Sequence, residues 1–151
     1  MNVLIVDDQE PMRELLSRWL TPLGYEIFQA PSADAAVLIL ENHPMAVVLC
    51  DRSMPGHDGD WLVGQVRERF PAVGVILATA DDSVPPRISL QNGVLGYLVK
   101  PFNRTLVVNA VADAVAWHAV AARSGTVRVT AANPVDAWLH GRAGRTSEEN
   151  K

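Results

Sequence analysis

At 151 residues the chain is long enough for one ordinary domain with a real core and too short for two. Hydrophobic residues make up 48% and charged residues 20%, the balance of a globular chain rather than a disordered one. A formal charge of −4 without any basic run argues against direct nucleic-acid binding, and a single cysteine, Cys50, excludes an internal disulfide or a thiolate metal cluster.

The chain enters an apolar run at once, with no basic leader and no small-residue cleavage site, so no signal peptide is read and a cytoplasmic protein is expected. The most apolar long stretch, residues 105–122, is interrupted by Asn109, Asp113 and His118 and dominated by Ala and Val. It is not read as a membrane span.

In chain order, short apolar and β-branched runs at residues 3–6, 25–30, 46–50, 74–78 and 96–99 alternate with helical patterns. The first helix is expected over residues 11–20, with Pro11 at a first-turn position where its missing N–H costs nothing. Leu15, Leu16, Trp19 and Leu20 form its apolar stripe, and Gly24 ends the excursion. Ser32 is a good N-cap for a second helix that carries Ala36, Val37, Ile39 and Leu40 and stops at Asn42 and Pro44. A third spans residues 59–70, a short fourth residues 86–91 after the Pro85-Pro86 pair, and the last runs from 103 to 123.

Such alternation is the pattern of an α/β fold: a doubly wound parallel sheet with helices on both faces. Ligands of such sheets bind beyond the carboxyl ends of the strands. Polar signals sit at those ends: Asp7-Asp8, Asp51, Thr79 and Lys100-Pro101. Side by side, the strands would bring three carboxylates, a hydroxyl and an ammonium into one pocket. Singly each residue has a dull explanation as a cap, a turn or a strand residue. Their shared order does not.

In combination, Asp7-Asp8, the segment Asp51-Arg52-Ser53-Met54-Pro55-Gly56-His57-Asp58-Gly59, Ala78-Thr79-Ala80 and Gly96-Tyr97-Leu98-Val99-Lys100-Pro101-Phe102 resemble the receiver domain of bacterial two-component response regulators, the CheY-like superfamily. The resemblance covers residues 1–122, leaving 123–151 as a C-terminal tail. It implies a flavodoxin-like fold with five parallel strands in order 2-1-3-4-5 and five helices. It also implies phosphorylation of Asp51 by a sensor histidine kinase or histidine phosphotransfer protein.

The same resemblance assigns Mg2+ (or Mn2+) to Asp7, Asp8, Asp51 and the backbone carbonyl of Ser53. By the same resemblance Lys100 would balance phosphoryl charge, Thr79 would move its hydroxyl inward, and small Ala80 would leave room. In the family the aromatic at this place, here Tyr97, rotates into the space, which would change the surface made by the fourth helix, fifth strand and fifth helix that a downstream protein target reads. Ser53 and Asp81 flank the path of an attacking water, and the Lys100-Pro101 bond is expected to be cis. The domain would be no enzyme beyond its own phosphorylation and dephosphorylation.

Arg52 stands where the family is commonly apolar, and reads either as a surface arginine or as an influence on partner choice or water access. His43, His57, His118 and His140 lack metal-ligand spacing, and Trp19 and Trp61 read as packing residues. The last helix is apolar almost all round, through Leu106, Val107, Val108, Val111, Val115, Trp117 and Val120, and needs a second cover. A homodimer or partner interface is preferred to cover by Trp138 and Leu139 of the tail. In the tail, residues 126–130 alternate like a strand, 133–141 suggest a helical turn, and 142–151 are expected to be disordered.

Neither a nucleic-acid nor a membrane partner is indicated. The reading is therefore a phosphoacceptor regulator that signals through protein contacts. Its alternative is a receiver fragment of a longer regulator with a DNA-binding or enzymatic output domain. A constitutive binding module that has lost phosphotransfer, and a hydrolase that forms an aspartyl phosphate, fit the residues less well.

Overall fold

The computed structural model describes residues 1–80 and 94–124. Strands β1 (Asn2–Val6), β2 (Glu26–Ala30), β3 (Val47–Asp51), β4 (Gly74–Thr79) and β5 (Val94–Val99) form one parallel sheet in the order β2-β1-β3-β4-β5. The described helices are α1 (Glu10–Leu20), α2 (Ala33–Asn42), α3 (Gly59–Arg69) and α4 (Arg104–Ser124). The helix expected over residues 86–91, and the strand, turn and terminus expected beyond 125, lie outside the described residues.

Central parallel strands are covered on both faces, so their sequences are continuously apolar instead of alternating. Val3, Leu4, Ile5, Val47 and Val48 of β1 and β3 have no solvent exposure. One face packs on α2 and α3 through Leu4, Val48, Cys50, Leu77 and Tyr97. The other packs on α1 and α4 through Ile5, Leu49, Ile76, Val107 and Val111.

Local signals set the helix ends. Ser32 accepts the Ala35 N–H at 3.1 Å to cap α2, and Asp58 accepts the Trp61 N–H at 2.8 Å to cap α3. Asn103 does the same for α4, accepting from Leu106 N at 2.8 Å. Helix α1 starts one residue before Pro11, and a 3-10 turn (Thr21–Leu23) closes on Gly24 with φ +92°. Leu16 and Leu20 are buried, whereas Leu15 is 37% exposed: at 100° per residue the core-facing arc of α1 excludes it.

Strand β5 begins at Val94, two residues earlier than the sequence pattern indicates. An irregular register at Val75/Ile76 passes over Leu95, so Ile76 pairs with Gly96. Leu95 and Leu98 thereby both reach the α1/α4 face, and Val94 and Tyr97 reach the other.

The last helix is less evenly buried than its composition suggests. Val107, Ala110, Val111 and Ala114 pack on the sheet, while Leu106 and Val120 are 37% and 59% exposed. Helix α4 has the length and hydropathy of a membrane span, and Val107, Ala110, Val111 and Ala114 on one face of it pack in the core.

Candidate functional site

Parallel pairing in level register aligns the carboxyl ends of the strands. Val6 pairs with Cys50, Asp51 with Ala78, and Thr79 with Val99. Asp7 follows β1, Asp51 ends β3, Thr79 ends β4 and Lys100 follows β5, so one edge of the sheet collects them. Asp7, Asp51 and Thr79 are the buried polar residues among those described, at 2%, 9% and 1% exposure, and Asp8 beside them is exposed.

Ligand oxygens of Asp7, Asp8 and Asp51 lie within 4.8 Å of one another. The Lys100 Nζ donates to Asp51 Oδ2 at 3.3 Å and to Asp7 Oδ2 at 3.4 Å. Backbone amides hold the carboxylates in place: Ser53 N–H donates to Asp51 Oδ1 at 3.2 Å and Gln9 N–H to Asp7 Oδ1 at 2.9 Å. Arg13 fixes the end of β1 by donating from Nη1 to the Asp7 carbonyl at 2.8 Å. The Lys100-Pro101 bond is cis.

Burial pushes the Asp51 carboxyl above its ordinary value; Lys100 and the Ser53 amide oppose that rise, and Asp7 adds to it. Three carboxylates thus face one ammonium in a partly desolvated pocket. Hard anionic oxygens in that arrangement fit a divalent cation of the Mg2+ type, which takes a few carboxylates and keeps several waters.

The loop after β3 is built around a close approach. Gly56 turns at φ +78°, and Gly59 at the start of α3 donates its N–H to the Arg52 carbonyl at 2.8 Å. A Cβ at Gly59 would stand 2.7 Å from Arg52 Cα, so α3 sits against β3 only because that Cβ is absent. The contact delivers Asp60 to Arg52, whose Nε and Nη2 both donate to Asp60 Oδ2 at 3.1 Å.

Arg52 is therefore not a surface arginine. Its side chain is 16% exposed, and burial opposes its charge while Asp60, with the Tyr97 phenol in a smaller part, more than restores it. Nothing in the linear sequence pairs Arg52 with Asp60; the signal available was the Asp58-Gly59-Asp60 start of a helix packed under the loop. Arg52, Ser53, Asp58, Asp60 and Thr79 line an open hollow of ≈ 520 Å³ beside the carboxylates.

Tyr97 points into the core at 2% exposure. Cys50 is buried, its thiol raised by burial and by neighbouring Asp51, which keeps it protonated and inert. His57 stacks on Trp61 at 3.8 Å and meets Asp34 at 3.0 Å, and His118 Nδ1 donates to the Ala72 carbonyl at 2.7 Å. Trp19 packs edge-on against Phe102 at 6.5 Å. Asp81 and His140 lie outside the described residues.

Residues 3–112 match the family model of the response regulator receiver domain. The response regulator protein FleR of Pseudomonas aeruginosa is 38% identical over 126 residues, which cover 83% of this chain and 26% of FleR. The transcriptional regulatory protein AruR of the same species is 37% identical over 116 residues, covering 72% of this chain and 47% of AruR. Among solved structures, the response regulator TrrA of Thermotoga maritima in complex with Mg(2+)-BeF is 30% identical with a TM-score of 0.69, covering 75% of this chain and 97% of that one. The chain belongs to the response regulator receiver domain family. It spans about a quarter of the length of FleR and about half that of AruR.

Proposed function

We propose that this chain is a Mg2+-dependent phosphoacceptor in a two-component or phosphorelay system, charged on Asp51 and discharged by hydrolysis. The observation that carries the reading is the convergence of Asp7, Asp8 and Asp51 within 4.8 Å, with Lys100 Nζ 3.3 Å from Asp51.

In this reading an Asp51 carboxylate oxygen attacks the phosphorus of a phosphohistidine on a sensor kinase or phosphotransfer protein. A P–O bond forms, the P–N bond breaks, and the imidazole leaves with its electron pair. Asp7 and Asp8, with Asp51 and the Ser53 carbonyl, are the residues that would hold Mg2+ (or Mn2+), and the Mg(2+)-BeF complex of TrrA supports that assignment. The ion, when bound, neutralises charge on the transferring oxygens.

Lys100 supplies a point charge that repays part of the repulsion among the carboxylates. The Ser53 N–H orients Asp51, and Thr79, on the rim of the same hollow, is placed to donate to a phosphoryl oxygen. Tyr97 then carries the change to the face made by β5, α4 and the helix expected from the sequence over residues 86–91. Residues 1–122 make up the receiver and 123–151 the tail. The output is a protein contact in the cytoplasm, with no reaction beyond the domain's own phosphorylation and dephosphorylation and no direct nucleic-acid or membrane partner. Leu106 and Val120, exposed on α4, support a homodimer or partner interface there.

The test is intact mass after incubation with Mg2+ and a small acyl-phosphate donor. The wild-type chain should gain one phosphoryl group and Asp51→Asn none. No gain with any donor, a cognate kinase included, overturns the reading.

A further inference from the structure

We propose that the Arg52–Asp60 ion pair is a clasp closing the neck of the loop between β3 and α3, and that Arg52 is thereby a positioning residue for Ser53 that sets the Mg2+ affinity of the site. The consequence for the metal rests on the proposed role of the Ser53 carbonyl as a ligand. The observations begin with the main chain of Arg52. Its N–H donates to the Ala78 carbonyl at 2.7 Å, and its carbonyl accepts the Gly59 N–H at 2.8 Å. One bond ties it to β4 and the other to the first residue of α3.

Residues 53–58 leave from Arg52 and return to Gly59, so these bonds lie at the neck of the loop. The missing Cβ of Gly59 lets the two backbones meet there. The next residue, Asp60, then brings its carboxylate to the guanidinium, and Arg52 Nε and Nη2 both donate to Asp60 Oδ2 at 3.1 Å. A single ammonium cannot copy that two-donor grip. Asp60 sits in the first turn of α3, where the helix dipole favours an anion, and Asp58 caps the same turn. Both halves of the clasp are therefore rooted in regular structure.

Ser53 is the first residue beyond the neck. Its N–H donates to Asp51 Oδ1 at 3.2 Å, the long end of the hydrogen-bond range. With the clasp closed, Ser53 follows a neighbour pinned through main chain and side chain alike. With the clasp open, the amide and the carbonyl of Ser53 gain freedom that metal binding must then remove. Arg52 is 16% exposed and Asp60 46%, so solvent screens the pair and the effect is a few-fold rather than an abolition of binding.

Charge alone predicts a different pattern. Arg52 and Asp60 line the same hollow beside the carboxylates. Removing a cation there strengthens Mg2+ binding, and removing an anion weakens it. The clasp predicts weaker binding in both cases.

The experiment titrates the full, unphosphorylated chain with Mg2+ alone by calorimetry. Arg52→Gln and Asp60→Asn should each weaken binding about three-fold. The double variant should weaken it no further, because each single change opens the same clasp. Arg52→Lys, which keeps the charge and loses the fork, should fall between the wild type and Arg52→Gln. In chelator, hydrogen exchange of the Ser53 amide, read by NMR, should be faster in both single variants.

An Arg52→Gln chain that binds Mg2+ as tightly as the wild type, or more tightly, overturns the proposal. Should that variant unfold, Arg52→Lys decides, and wild-type affinity in it is the overturning result. A wild-type chain that binds no Mg2+ defeats the metal reading instead. The clasp is then judged on the metal-free exchange, where an unchanged Ser53 amide in both single variants removes it.

Discussion

The Lys100 ammonium stands 3.3 Å from Asp51 Oδ2, a contact it divides with Asp7 at 3.4 Å. Both distances exceed the 2.7–2.9 Å typical of a committed charge-assisted bond. Lys100 is a point charge shared between two carboxylates, and in the proposed function it is available to a phosphoryl oxygen. Lys100→Met should lower the initial rate of phosphoryl gain about 100-fold, the scale of losing one preorganised cationic donor. Lys100→Arg should recover little, because a wide planar fork does not fit a position built for a compact ammonium. A time course of intact mass gives both rates, and a wild-type rate in Lys100→Met would remove this role.

Burial raises the Asp51 carboxyl above its ordinary value, so the folded chain holds that proton more tightly than the unfolded chain. The stability due to this group is complete below the ordinary carboxyl range and is lost as pH rises through the raised value. Without metal, Asp51→Asn should therefore raise Tm at pH 7 and change it little in acid. Added Mg2+ should stabilise the wild type and have a much smaller effect on Asp51→Asn. Thermal unfolding with chelator and with Mg2+ measures both effects. Equal Mg2+ responses in the two proteins would count against these carboxylates as the metal site.

Two glycines of α3 differ sharply in what surrounds them. A Cβ at Gly59 meets Arg52 Cα at 2.7 Å and the Asp51 carbonyl at 2.8 Å, whereas one at Gly64 meets nothing within 4 Å. Gly59→Ala should cost about 2 kcal/mol and slow phosphoryl gain, since the backbone beside Asp51 must shift. Gly64→Ala should stabilise by about 0.5–1 kcal/mol through helix propensity alone. Denaturant titration of the two variants checks the contrast.

On α4 the two faces predict opposite responses. Val107 is fully buried, and Val107→Ala should cost about 2 kcal/mol. Val120 is 59% exposed, and Val120→Ser should stay within about 0.5 kcal/mol in the monomer. If α4 is a dimer face, Val120→Glu should shift a wild-type dimer to monomer mass in sedimentation. A wild-type monomer at all concentrations, with and without a phosphoryl mimic, would argue against that face.

Much of this protein was legible in its linear sequence, because the signals are periodic or local. Apolar runs buried on both faces marked the strands, and Ser32 and Asn103 announced helix starts through hydrogen bonds spanning three residues. Parallel strands of similar length bring their carboxyl ends level, so Asp7, Asp51, Thr79 and Lys100 could be assigned to one pocket before any coordinates. The family resemblance rested on the same residues, and the match over residues 3–112 bears it out.

What only the tertiary structure decided depends on contacts between distant segments. The early start of β5 follows from an irregular pairing with β4, visible only once the strands meet. Leu15 and Val120 are as apolar as their buried neighbours, and the arc that the sheet covers is what exposes them. Arg52 is the clearest case: charge and position suggested solvent, but the missing Cβ of Gly59 brings α3 and Asp60 over it. Hydrophobic period and capping chemistry are written along the chain, whereas close approach between backbones is set by packing in three dimensions.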